Sequence, residues 1–202
     1  MTSTNPIHRT RKSGTVSRLA KRCARLWNDR SGVGAIEFAL IAPLLLMLYI
    51  TAFELTIGLS VSKRLTKASG TIADLVSQQE TSVDPAFLGT MKDVAASILV
   101  PYNTNDISIS ITGIELDGGA NPKASWSWSQ SGEKPYAAGS AVPVPDNMKI
   151  AGSFLIHAEL AVPHQLLMVM PGLLPSEVRD ITIRRDYYFQ TRTGKPLPCP
   201  TC

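Results

Sequence analysis

Gly32 and Glu37 stand at the head of a long apolar run, and their spacing permits one specific piece of chemistry. Were the chain cut after Gly32, Val33 would carry a new α-ammonium and Glu37 would be the fifth residue of the product. Four positions along a helix bring those two charges within reach of each other. In a low dielectric each would offset much of the cost of the other. A glycine before the cut adds no side chain and resists helix continuity, so the peptide stays accessible.

The other candidates for chemistry are fewer. Cys199 and Cys202 are spaced Cys-Pro-Thr-Cys at the end of the sequence. Three readings stay open for them: a local disulfide stiffening the tail, free or intermolecular thiols, or a redox pair. A redox Cys-x-x-Cys ordinarily begins a helix whose dipole lowers the thiol pKa, whereas here Pro198 and Pro200 stand on either side of Cys199. A zinc site would need two further ligands, and no second Cys or His pair exists. His157 falls in mid-strand opposite the face of Phe154 and Ile156, as a solvent-facing or internally satisfied histidine. His164 follows Pro163 at a strand end. With no Gly-rich phosphate loop and no Gly-x-Ser-x-Gly elbow, the sequence offers no catalytic residues, no metal ligands and no cofactor.

The element that must carry Glu37 is the apolar stretch itself. From Phe38 to Phe53 no side chain is charged, and the run to Leu59 gives 22 residues, about 33 Å as a helix. That spans a bilayer core. A second acid, Glu54, lies near its end, and a carboxylate in hydrocarbon costs about 2.5–3.5 kcal/mol, so Glu37 needs a reason to be there. Pro43 is tolerated in such a helix where its surroundings satisfy the freed carbonyl.

The run RSGVGAIEFALIAPLLLMLYITAFELTIGLSVSKRLTKASGTIADL resembles the TadE-like family of the tight-adherence (Flp) pilus machinery, over Arg30 to Leu75. The resemblance rests on the Gly32 to Glu37 spacing with the aromatic Phe38, on Pro43, on Glu54 and on the small-residue-rich continuation. It implies a minor pseudopilin cut by a prepilin peptidase after Gly32, with Gly32, Val33, Glu37 and Phe38 as what the peptidase reads. It also implies other pilus-assembly and pseudopilin subunits as partners, and inner-membrane lipid around the helix.

Charge points the same way. Eight basic residues before Val33 face Asp29 alone, a net of +7; of the formal +4 for the whole chain, this leaves −3 for Val33–Cys202. The basicity belongs to the leader and holds the N-terminus in the cytoplasm against the smaller cluster Lys63, Arg64 and Lys67. The rest then lies in the periplasm of a bacterium. Without aromatic interleaving or a binding fold, the leader suggests no nucleic-acid partner.

Along the chain, residues 1–15 lack periodicity, and 16–27 set Val16, Leu19, Cys23 and Leu26 on one face of an interfacial helix or form a solvated basic tail. Beyond Leu59, Val61, Leu65, Ala68, Ile72 and Leu75 follow helical steps, so the helix is expected to continue to about Gln78. Asp84-Pro85 caps a short helix over 85–99, with Phe87, Met91, Val94 and Ile98 on one face. From residue 104 the period changes to two. Ile107, Ile109 and Ile111 mark a strand, Asp117-Gly118-Gly119 a turn, and Trp126 and Trp128 a second strand, in the core or on an exposed contact surface. A loop over 130–147 follows. Phe154 to Val162 form a third strand ended by Pro163, Pro171, Gly172 and Pro175 break the apolar run Leu166–Met170, and Ile181 to Phe189 form a last strand.

Helix first and antiparallel strands after is an α+β order. The organisation expected is a basic cytoplasmic leader (1–32), a transmembrane helix (33–59), a periplasmic helical region (60–103) and a periplasmic β-rich domain with a Pro-rich Cys-x-x-Cys tail (104–202). The favoured function is a pseudopilin or pilus assembly protein, not an enzyme. The alternative is an uncleaved single-pass envelope binding module.

Overall fold

The computed structural model describes residues 32–165 and 180–202. The basic leader, for which the sequence suggests an interfacial helix over 16–27 or a solvated tail, and the run Leu166–Met170 with Pro171, Gly172 and Pro175, lie outside the described residues. The chain divides into two compact units, Met1–Tyr49 and Ile50–Cys202.

Helix α1 (Val33–Ser77) continues through Pro43 as a single α-helix. In the first unit its large apolar side chains, among them Phe38, Leu40, Leu44, Leu45 and Leu48, are exposed. The helix is long and apolar enough to cross a membrane, as a single-pass anchor would require. In the second unit the seam residues Val61, Leu65, Ala68 and Ile72 are buried. The seam is broader than its apolar spacing predicts: Ser69, Ala73 and Val76 are buried with it, while Leu75 is only partly covered.

Helix α2 (Pro85–Leu99) begins where Asp84 accepts a hydrogen bond from the Phe87 amide at 2.7 Å, so the side chain satisfies one of the free N–H groups of the first turn. Its buried line is Leu88, Met91, Ala95 and Leu99. Phe87, Val94 and Ile98, expected to lead, are half-buried beside it.

Four antiparallel strands follow: β1 (Ser108–Leu116), β2 (Pro122–Ser129), β3 (Phe154–Gln165) and β4 (Asp180–Gln190), in the order β2-β1-β3-β4. The helical seam shares one core with Ile107, Ile109 and Ile111 and with Phe154, Ile156, Ala158, Leu160 and Val162. Gly113 belongs to this face because a Cβ there would lie 2.5 Å from the Trp126 ring. Between Gly113 and Ile114 the register with β2 shifts, so Trp126 opposes Gly113 and Ala124 opposes Ile114. The extra residue, Ser125, turns Ala124 to the opposite face. There it joins Ile114, Leu116, Leu155, Val142 and Val144 in a second, smaller core.

One sequence expectation is corrected. Pro163 does not end β3, which continues to Gln165 paired only with β4, since the last β1 pair is Ser108 with Ala161. Proline is tolerated where a strand has lost one neighbour. Of the two readings for His157, solvent-facing or internally satisfied, the second holds, since the residue is buried and faces Asp186.

Candidate functional site

Gly32 stands immediately before the first residue of α1, so the chain changes from non-α to α conformation at the Gly32–Val33 peptide. Gly32, Val33, Glu37 and Phe38 are all exposed. Among the described residues a Cβ on Gly32 would meet nothing within 4 Å. This is an accessible peptide bond at a helix start with a carboxylate one turn further on.

Glu54 is placed quite differently. It is buried, and its Oε1 lies 3.2 Å from Nε2 of His164, a residue 110 positions away. Its other oxygen, Oε2, has no hydrogen-bond partner among the described residues. The pairing answers why an acid is tolerated at this point of an apolar helix: a ring N–H or an imidazolium faces it, and the sheet shields both from solvent. Sequence reading treated the two residues separately. The signal was parity, since residue 164 shares the face of Ala158, Leu160 and Val162, which points His164 at the helix.

Beside this pair, a cavity of about 420 Å³ opens between α1 and β4. Leu55, Gly58 and Leu59 line it from the helix, with Ile181 and Ile183 from the strand. At one end Arg185 donates from Nε to Ser62 Oγ at 2.9 Å and from Nη1 to its neighbour's carbonyl, Arg184 O, at 2.8 Å. Among the described residues Arg185 has no carboxylate partner, whereas Arg184 reaches Glu159 at 2.9 Å.

On the other sheet face His157 stacks on Tyr188 with ring centroids 4.2 Å apart and lies 3.2 Å from Asp186 Oδ2. Burial pushes the His157 pKa down, opposed by Asp186 and Glu159. Burial, with Asp186 adding to it, pushes the Tyr188 phenol up to about 12. The histidine is thus an internally satisfied group whose neutral form burial favours.

Cys199 and Cys202 are joined by a disulfide, their Cα atoms 5.4 Å apart. The tail that carries them is seated in the domain: Leu197 is buried, its carbonyl accepts from Trp126 Nε1 at 2.6 Å, and Pro198 O accepts from the Val83 amide at 3.0 Å. Trp126 therefore belongs to the core rather than to an exposed contact surface.

Residues 32–74 match the family model described as TadE-like protein. The segment is TadE-like. The match begins at Gly32 and runs to three residues before the end of α1, covering Glu37, Glu54 and most of the buried seam. The TadE-like segment suits a protein associated with a tight-adherence pilus. The comparison with curated proteins gave no match, and the comparison with solved structures gave none.

Proposed function

We propose that this chain is a minor pseudopilin or assembly protein of a tight-adherence (Flp) pilus, inserted in the bacterial inner membrane and cut by a prepilin peptidase between Gly32 and Val33. The observation that carries the reading is the TadE-like match starting at Gly32, the residue immediately before the helix. The strong positive charge before Val33 supports a cytoplasmic N-terminus and a periplasmic α+β domain. In this reading the protein is a substrate and a structural partner, and its own residues perform no catalysis. After the cut the Val33 ammonium and the Glu37 carboxylate neutralise each other in lipid or against a neighbouring subunit.

Mass spectrometry of the protein from a membrane fraction tests the cut: a new N-terminus at Val33 is expected, and an intact precursor alone would favour an uncleaved envelope module. Gly32→Leu should leave the precursor uncut. Glu37→Ala should be cut yet fail in assembly, because its ammonium lacks a counter-charge. A Glu37→Ala protein that is cut and supports normal piliation removes the charge-pairing role. A periplasm-active reporter fused after Gln79 should be active and one fused after Arg22 silent.

A further inference from the structure

We propose that the cleft between α1 and β4 is a phospholipid site, with the lipid phosphate on Arg185 and one acyl chain lying along Leu59, Gly58, Leu55, Ile181 and Ile183. The proposal rests on the reading that Phe38–Leu59 crosses a membrane.

Three observations converge on it. The first is position. The apolar run ends at Leu59, and Ser62, which holds the Arg185 guanidinium, follows three residues later, about 4.5 Å farther along the helix. The guanidinium therefore stands where hydrocarbon gives way to headgroups. Apolar walls extend from it back towards the bilayer, the direction in which an acyl chain runs.

The second is charge. Arg185 is exposed and lacks a carboxylate among the described residues, while its neighbour Arg184 has one. A fixed guanidinium fork at the membrane surface is matched to a phosphate.

The third is room. The cavity of about 420 Å³ falls in the range of about 300–1,000 Å³ usual for small-ligand sites. Leu55, Leu59 and Ile181 expose more than a third of their surfaces, and a Cβ on Gly58 would meet nothing within 4 Å. Packing among the described residues does not require that glycine, and the space above it is left for an occupant. A second copy of the chain would also cover an apolar groove, but it would not by itself explain a cation at the groove's outer end that has no counter-charge among the described residues.

The test uses the full chain, delipidated in detergent and titrated with dioleoylphosphatidylglycerol, with retained lipid read by native mass spectrometry. One lipid per chain is expected. Dioleoylglycerol, with the same tails and no phosphate, should bind about tenfold more weakly, as should the lipid to Arg185→Gln, since each loses one charge-assisted contact. Gly58→Leu fills the cleft from a position open to a side chain, so it should lose the lipid while keeping the unfolding midpoint. Inorganic phosphate should not compete. Equal lipid retention by wild type, Arg185→Gln and Gly58→Leu overturns the site, as does a dimer that forms without lipid and is broken by Gly58→Leu. Carbonate extraction of membranes keeps the two readings apart. A wild-type chain released by carbonate defeats the membrane span itself, whereas an embedded chain without Arg185-dependent lipid defeats only the site.

Discussion

The two halves of α1 differ in how their apolar residues are laid out, all round the first and along one seam of the second, and they meet opposite fates. Before Tyr49, Leu, Ile, Phe and Met side chains point outward on every side, and Glu37 is exposed among them. From Val61 to Val76, smaller apolar residues at helical steps are sealed beneath a sheet, and the acid just before them, Glu54, is buried against His164. The layout of apolar residues therefore says what covers each half. An all-round apolar surface demands an apolar solvent, while a seam demands a partner of matching shape.

Four experiments would break or sharpen this contrast, each read by denaturant unfolding of the full chain in detergent. The largest effect is expected at the acids. His164→Ala leaves Glu54 buried with neither oxygen partnered and should cost about 3–5 kcal/mol, whereas Glu54→Leu with His164→Leu together should cost much less. Glu37→Ala should leave domain stability unchanged; a comparable loss there would erase the distinction between the acids.

Leu65→Ala comes next, at about 2–5 kcal/mol, for a wholly buried seam residue. Its counterpart Leu45→Ala should stay within about 0.5 kcal/mol. Similar losses at both sites would show that the first half of the helix also packs within the chain.

Gly113→Ala pushes a methyl into the Trp126 and Phe154 rings, at 2.5 and 2.9 Å. The ring shift should cost about 1–3 kcal/mol, visible also as a change in tryptophan emission. An unshifted midpoint would mean that this corner of the core yields freely.

The smallest effect concerns pH. The folded-state pKa of His157 is held below its ordinary value of 6.5. Its contribution is therefore complete above about pH 6.5, where both states are neutral, and is lost as pH falls from there through the folded-state value. Wild type should lose stability over that interval, and His157→Gln should flatten that part of the curve. A slope unchanged by the substitution would assign it to other groups.

What was legible in the sequence was local. Asp84 and Pro85 mark the start of α2 because a cap and a fixed φ act within one turn, and Val61-Leu65-Ala68-Ile72 marks the seam because helical period is a short-range property. Alternating isoleucines mark β1 for the same reason. The Glu54–His164 pair was not legible as a pair, because strand pairing and helix placement bring it together across 110 positions. The displacement of Ala124 to the second core was also hidden, since a one-residue bulge at Ser125 breaks the alternation that the two tryptophans suggest. Pro163 read as a stop because the sequence does not reveal where β3 runs out of β1.

The bond from Trp126 to Leu197 spans 71 residues, and that separation has a consequence for the order of events in the living cell. At synthesis rates of about 5–20 residues per second, the indole N–H waits roughly 4–14 s for the carbonyl it will bond. Strands β1 and β2 can pair as soon as they emerge, and the helical seam made before them packs on the same core. The corner around Trp126 is completed last, and the arrival of the Leu197 segment ends the interval.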